Sequence, residues 1–241
     1  MSVPLAIVGC GKMGRLVEQL APEYGFGVTA RFSRANIASL SRETLHGAKV
    51  AIEFTNSAAA PENIRWLSTL GANVVCGTTG WFEQLPQIRE AVAASGTALL
   101  YAANFSVGVN LFMEVVSRAA QLFAQHPEYE AWGWEIHHSA KKDAPSGTLK
   151  KLAEEMRSAG YTAPLALSSN RAGAHTGTHE IGFDSPVDTI TLRHTARNRE
   201  GFARGALQAA QWIAGKRGVF EFRQILPQLQ SEGAAAASIS G

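Results

Sequence analysis

Six residues constrain this chain more than any others. Gly9-Cys10-Gly11-Lys12-Met13-Gly14 follows directly on the apolar run Leu5-Ala6-Ile7-Val8 and precedes Leu16, Val17 and Leu20 at helical spacing. In a G-x-G-x-x-G at a strand-to-helix junction, the first glycine permits a tight turn. The second lets a pyrophosphate approach the backbone, and the third lets helix and strand pack closely. An anion there meets the free amides and dipole of a helix start. The competing reading is a glycine-rich structural turn. The motif heads a run of strand–helix units, and that favours dinucleotide binding.

Those units are legible in the apolar pattern. Strand candidates are Val28 to Phe32, Lys49 to Phe54, Asn73 to Cys76 and Thr97 to Tyr101. Helix candidates lie between them, marked by Ile64, Leu67 and Leu70 and then by Ile88, Ala91 and Val92. Strands alternating with helices imply a doubly wound parallel sheet of the Rossmann type. Near residue 106 the pattern changes. A helix is predicted from Val107 to Phe123, and then longer alternating strands over Tyr129 to His138, Ala174 to Phe183 and Thr189 to His194. Alternation of that kind points to a mixed sheet with one open face, an α+β unit with helices at Ser146–Ser158 and from Glu200 to Ala214. Gly201 and Gly205 on the last of these suggest a close packing contact. Val219, Phe220, Phe222, Ile225 and Leu226 need an apolar surface and fit a return to the first sheet. The expected domains are 1–106 plus 216–241 for the dinucleotide and 107–215 for substrate binding and oligomerisation. The small-residue stretch from Gly233 reads as a mobile tail.

Composition excludes several classes. With 22 Lys+Arg against 20 Asp+Glu, the net charge of +2 argues against a dedicated nucleic-acid binder. No apolar run approaches the ~18 residues of a membrane span, and no signal-peptide pattern opens the chain. Cys10 and Cys76 cannot build a disulfide framework and read as buried free thiols. A cytoplasmic protein acting on small molecules is expected.

Two further loops end strands on the same sheet edge as the glycine motif. Gly77-Thr78-Thr79-Gly80 offers small residues and hydroxyls for a nicotinamide amide, and Ala103-Asn104-Phe105-Ser106 could line the same crevice. The bland alternative is two turns. The densest polar stretch is Glu135-Ile136-His137-His138-Ser139-Ala140-Lys141-Lys142-Asp143-Ala144-Pro145-Ser146-Gly147-Thr148. It leaves a strand and enters a helix, with Ser146 or Thr148 as the cap. Helix-start amides and hydroxyls would hold a carboxylate, with His and Lys supplying protons and positive charge. An exposed strand end with a basic pair is the plain alternative. Metal binding is not expected: His175 and His179 would lie roughly 13 Å apart on a strand.

These motifs, in this order and over about residues 4–227, resemble the dihydrodipicolinate reductase family. Glu53-Phe54-Thr55, Arg171-x-Gly173, Gly177-x-His179-Glu180 and Phe202-Ala203-x-Gly205-Ala206 add to the likeness. The resemblance implies a Rossmann-type domain and an α+β domain whose sheet assembles a homotetramer. It implies reduction of a cyclic imine-type dicarboxylate by NADH or NADPH, in lysine and diaminopimelate biosynthesis. By the same resemblance His137 and Lys141 handle protons, and His138, Gly147 and Thr148 bind substrate, with Ser146 beside them. Cofactor contacts fall on Gly9 to Gly14, Gly77, Thr78, Thr79 and Ala103 to Ser106. A departure bears on the cofactor. About 20 positions past the glycine loop the chain reads Thr29-Ala30-Arg31-Phe32-Ser33-Arg34, with no acid for a ribose 2′-hydroxyl. NADPH is therefore expected over NADH, its 2′-phosphate held by Ser33 and Arg34 with Lys12 adding a contact. Arg31 and Arg34 as solvated loop charges is the alternative. An amino-acid dehydrogenase of the same plan and a non-catalytic dinucleotide sensor are the rival functions, and the stretch from His137 to Thr148 argues against both.

Overall fold

The computed structural model describes residues 2–237, with 230–237 described by backbone alone. The chain forms two compact units. One runs to Ser106 and resumes at Phe202, and the other is Val107–Gly201.

In the first unit, strands β1 (Val3–Val8), β2 (Phe26–Phe32), β3 (Val50–Glu53), β4 (Asn73–Cys76) and β5 (Ala98–Tyr101) alternate with helices α1 (Lys12–Leu20), α2 (Ala60–Thr69) and α3 (Leu85–Ser95). A sixth strand, β10 (Gly218–Glu221), enters from far along the chain and pairs with β5. The sheet order is β10-β5-β4-β3-β1-β2, and every pairing is parallel. Ala6, Val8, Ala51, Val74 and Leu99 share one cluster with Ile64, Leu67, Ile88 and Val92 of α2 and α3. Leu5, Ile7, Ile52, Val75 and Leu100 point the other way and are equally buried. Burial on both faces explains the near-continuous apolar runs of these strands. Each buried Val, Leu or Ile among them stabilises the fold by about 1.5–3 kcal/mol.

The second unit contains α4 (Val107–Phe123), β6 (Glu130–His137), α5 (Gly147–Ser158), β7 (Leu165–Arg171), β8 (Thr178–Asp184) and β9 (Thr189–Thr195). Its sheet runs β7-β6-β8-β9. β6 and β7 are parallel, and the other pairs are antiparallel, so the sheet is mixed. One face of β6, through Ala131 and Gly133, turns inward, and Ala131 joins Val116, Leu149, Leu152 and Ile181 in a core with α4 and α5. Trp132, Trp134 and Ile136 lie on the opposite, half-exposed face.

Three expectations need correction. Helix α6 (Glu200–Ile213) was assigned to the second domain, with the return at 216. It belongs to the first unit from Phe202 onward. Gly205 lies against the Phe105 carbonyl so closely that a Cβ would collide, and the Asn73 amide reaches the Ile213 carbonyl at 2.7 Å. Strand β7 was not foreseen. The third strand of the second unit starts at Thr178 rather than Ala174, because Gly177 takes a positive φ just before it. Helix α7 (Phe222–Ala237) closes the described chain, and the rest of the stretch read as a mobile tail lies outside the described residues. Among the described residues, no helix is long and apolar enough to cross a membrane.

Candidate active site

The glycine loop answers the question of fit for a dinucleotide. At Gly9 the chain turns with φ +102°, and a Cβ there would strike the Phe54 carbonyl. Gly14 is buried, and a Cβ there would strike the Gly9 carbonyl and crowd the Ile7 side chain at 3.2 Å. Packing dictates both. Gly11 faces open space, so it is the position at which a ligand can come up to the backbone at the start of α1.

A cleft of about 500 Å³ opens beside it, with Gly11, Lys12 and Met13 at one side and Gly77, Thr78 and Thr79 at the other. A second cavity of about 390 Å³ extends from Gly9 and Cys10 to Ser33 and Arg34 and shares Gly11, Phe54 and Thr55 with the first. Among the described residues, no acidic side chain lines either cavity. Arg31 is committed to Glu18 at 2.6 Å, whereas Arg34 is exposed at the cavity rim. The Ser33 hydroxyl bonds Asn36 at 3.1 Å and accepts the Ala35 amide.

Below the cleft, Glu53 is fully buried and accepts hydrogen bonds from the Thr55 amide and hydroxyl and from the Cys76 thiol. Burial pushes that thiol well up, helped by the Glu53 charge. Cys10 departs from the expected burial: it is half-buried and donates to the Phe32 carbonyl at 3.4 Å. Thr78 accepts the Thr55 amide at 2.9 Å, which ties two strand-end loops together. Asn104 accepts the Ser106 amide, Ala103 is exposed, and Phe105 turns its ring into the core against Phe222. Phe105 therefore offers a ligand only its main chain.

The second unit assembles the polar stretch through register. β7 sets Ser169 opposite Glu135 and Arg171 opposite His137, while β8 sets His179 opposite Glu135. Glu135 is fully buried. It accepts the Ser146 amide at 2.8 Å, the Ser146 hydroxyl, the Ser169 hydroxyl at 2.9 Å and Arg171 at 2.9 Å. Burial pushes this carboxyl up, but the bonds from Ser146, Arg171 and Ser169 outweigh it and hold it at about 2. Burial lowers His179 to about 4, with His137 acting in the same direction. His137 is also lowered by burial, opposed by Glu135 and reinforced by Lys141 and Arg171.

Ser146 caps α5 by accepting the Leu149 amide. Its hydroxyl and amide both donate to Glu135. The Ser146 carbonyl takes the Lys150 amide at 3.0 Å. Of the first turn's donors, the amides of Gly147 and Thr148 remain for an anion. Lys141 holds Asp143 at 2.7 Å, and His138 is half-exposed beyond the strand end. Glu135, His137 and His179 bring three ligand-type atoms within 4.8 Å. The donors already on Glu135 and the adjacent Arg171 charge make this a hydrogen-bond network and oppose a second cation.

A glycine-lined dinucleotide groove on a parallel sheet and a helix start flanked by histidine and lysine define an oxidoreductase that uses a nicotinamide dinucleotide. The chain matches "Dihydrodipicolinate reductase, N-terminus" over residues 3–105 and "Dihydrodipicolinate reductase, C-terminus" over 108–226. It belongs to the dihydrodipicolinate reductase family. It is 31% identical over 238 residues to the 4-hydroxy-tetrahydrodipicolinate reductase of Christiangramia forsetii, covering 93% of this chain and 98% of that one. It is also 31% identical over 260 residues to the enzyme of the same name from Methanosarcina mazei, covering 92% and 98%. The fold is similar to dipicolinate-bound dihydrodipicolinate reductase from a Paenisporosarcina species, with TM-score 0.79, 22% identity and coverage of 93% and 100%. An amine dehydrogenase from Mycobacterium smegmatis shares the fold at TM-score 0.61 and 10% identity, covering 92% and 96%.

Proposed function

We propose that this chain reduces 4-hydroxy-tetrahydrodipicolinate to tetrahydrodipicolinate, the 4-hydroxyl leaving as water and a hydride and a proton being added, with NADPH preferred over NADH. The observation that carries the reading is the start of α5, where two free amides sit beside a strand that ends in His137. Gly147 and Thr148 take a substrate carboxylate. Lys141 donates a proton in the reaction, and His138 adds hydrogen bonds around the carboxylate. His137 moves a proton at a ring nitrogen as negative charge develops and is neutralised on the substrate. A reduced nicotinamide bound along Gly77, Thr78 and Thr79 supplies the hydride. Lys12 and the amides after Gly11 hold the pyrophosphate. Arg34, with Ser33, holds the 2′-phosphate, and no nearby carboxylate repels it. The dipicolinate in the Paenisporosarcina structure is itself a ring dicarboxylate, which supports this substrate class.

The free thiols suit a reducing cytoplasm. The half-exposed face with Trp132, Trp134 and Ile136 supports assembly through that sheet into a homotetramer. Light scattering at micromolar concentration tests this, and a monomer mass counts against it. The activity itself is tested by coupling aldol condensation of pyruvate and aspartate semialdehyde to loss of reduced-nicotinamide absorbance. Turnover supports the reading, and none with either cofactor overturns it.

A further inference from the structure

We infer that Glu135 is a positioning residue that fixes the His137 imidazole with its proton on Nδ1 and anchors the first turn of α5, so that one buried carboxylate sets both the proton-handling nitrogen and the anion-binding amides. The inference rests on the proposed role of His137.

Nδ1 of His137 lies 3.6 Å from Glu135 Oε2 and has no hydrogen-bond partner of its own. At that separation the two lie close without forming a hydrogen bond. The sign of the charge still chooses the tautomer. An ionised carboxylate only accepts, so a buried ring presents N–H to it and turns its lone pair away. The opposite tautomer would place two lone pairs face to face where no water screens them.

The remaining contacts leave the other nitrogen free. Gly177 stands beside Nε2, and a Cβ there would come within 2.9 Å of it. A bare backbone is what lets the ring sit with that edge clear. His179 occupies the second approach to the same carboxylate oxygen, with Nε2 3.3 Å away and 3.2 Å from the Ser146 hydroxyl. That hydroxyl donates to Glu135 and accepts from Leu149. His179 therefore points an N–H inward from Nε2, whereas His137 does so from Nδ1. The two rings meet edge-on with centroids 5.1 Å apart.

The charged and titratable groups that act on His137 come from every side of the site. They are Glu135 on its own strand, Arg171 on β7, His179 on β8, and Lys141 and Asp143 in the loop after β6. Of these, Glu135 is the strongest influence that favours the imidazolium, and Asp143 is the weaker one. The same carboxylate accepts the Ser146 amide and hydroxyl. Removing its charge changes a proton equilibrium and a helix start together. Removing the Ser146 hydroxyl takes one donor from Glu135 but leaves its charge, with Arg171, Ser169 and the Ser146 amide still on it, so the helix start is what changes most.

The experiment is ¹⁵N-histidine NMR on the full chain, with the His137 signals assigned by their loss in His137→Gln. The native protein at neutral pH is expected to show the Nδ1–H tautomer for His137 and Nε2–H for His179. In Glu135→Gln, His137 should become a tautomer mixture and titrate about one pH unit lower, and the matching limb of the kcat profile should follow it. Ser146→Ala should keep the tautomer and its titration while raising KM for the substrate. An Nε2–H tautomer for native His137 overturns the inference, as does an unmoved titration in Glu135→Gln. If Glu135→Gln does not fold, the native tautomer decides. Expected tautomers in a protein without reductase turnover support the positioning role and count against the proposed function alone.

Discussion

Arg171 meets Glu135 at 2.9 Å with side-chain exposures of only 16% and 0%. The pair closes one side of the network that seats His137 and the start of α5. Removing one member of a buried ion pair leaves the other charge without a partner, which costs about 3–5 kcal/mol. Arg171→Ala is expected to lower unfolding free energy in urea by that order and to weaken substrate binding. A midpoint equal to that of the native protein would show the pair to be dispensable.

Acid sensitivity follows from the same cluster. Folded His179 sits at about 4 against an ordinary 6.5, so the unfolded chain binds more protons between those values. Its contribution to stability is complete above pH 6.5 and lost as pH falls toward 4. Glu135, held at about 2 against 4.5, extends the loss below that window. Thermal melts from pH 7 to pH 4 should therefore steepen downward, and His179→Gln should flatten that segment. Parallel curves for the two proteins would assign the acid sensitivity elsewhere.

Two glycines that look alike in sequence should behave oppositely. Gly205 abuts the Phe105 carbonyl, so Gly205→Ala overpacks α6 and should destabilise by about 1–3 kcal/mol. Gly11 has open space and φ −76°, which alanine accepts. Gly11→Ala should keep the melting temperature but raise KM for the cofactor. Calorimetry and cofactor titration separate the two, and a Gly11→Ala variant with native cofactor KM would remove the pyrophosphate from that position.

His137→Gln and Lys141→Ala should each lower kcat by roughly 10²–10⁴ with cofactor affinity unchanged, as for groups that move protons in the transition state. Thr148→Val keeps the shape but loses a hydroxyl. It should raise substrate KM more than it lowers kcat. Steady-state kinetics on the three variants test these roles, and near-native turnover would return a residue to a structural role.

The second cavity gives the cofactor prediction its geometry. Arg34→Ala should lower kcat/KM with NADPH by roughly tenfold, while NADH changes little. A ratio untouched by the substitution, or a native preference for NADH, would leave Arg34 as a solvated charge.

The first sheet was open to reading because its inner strands are buried on both faces and announce themselves as apolar runs, as Asn73–Cys76 does to the residue. Helix α4 was legible in its extent, Val107–Phe123, but not in its face: Leu111, Val115 and Leu122, which mark it at helical spacing, are exposed, and Val109, Met113, Val116 and Ala120 are the buried side. Strand β7 was not. Leu165-Ala-Leu-Ser-Ser-Asn-Arg171 has weak side chains on its outer face, and it reads as a loop until Leu165, Leu167, Ser169 and Arg171 are seen to share one side. The site shows the same divide. His137, Lys141 and the α5 start are contiguous in sequence and stand out as one polar stretch. Glu135, Ser169, Arg171 and His179 meet only through strand register, which no spacing along a single segment displays. Of the two caps the sequence offers, Ser146 is the one used, and the direction of its hydroxyl toward Glu135 depends on a strand neighbour that the sequence does not display. Helix α6 was placed in the wrong unit because its apolar residues do not say which surface they cover.

The pairing of β10 with β5 gives the chain an order of assembly. During synthesis, residues 107–201 leave the ribosome as one uninterrupted stretch and can gather their core while the first sheet still lacks an edge. That sheet must wait for Gly218–Glu221 to emerge, with β5 exposed and a separation in sequence of more than a hundred residues to close. Until then β5 is an open template for any other nascent strand. A translation pause or a break before residue 218 would leave the dinucleotide half unfinished, even though its glycine loop was made first.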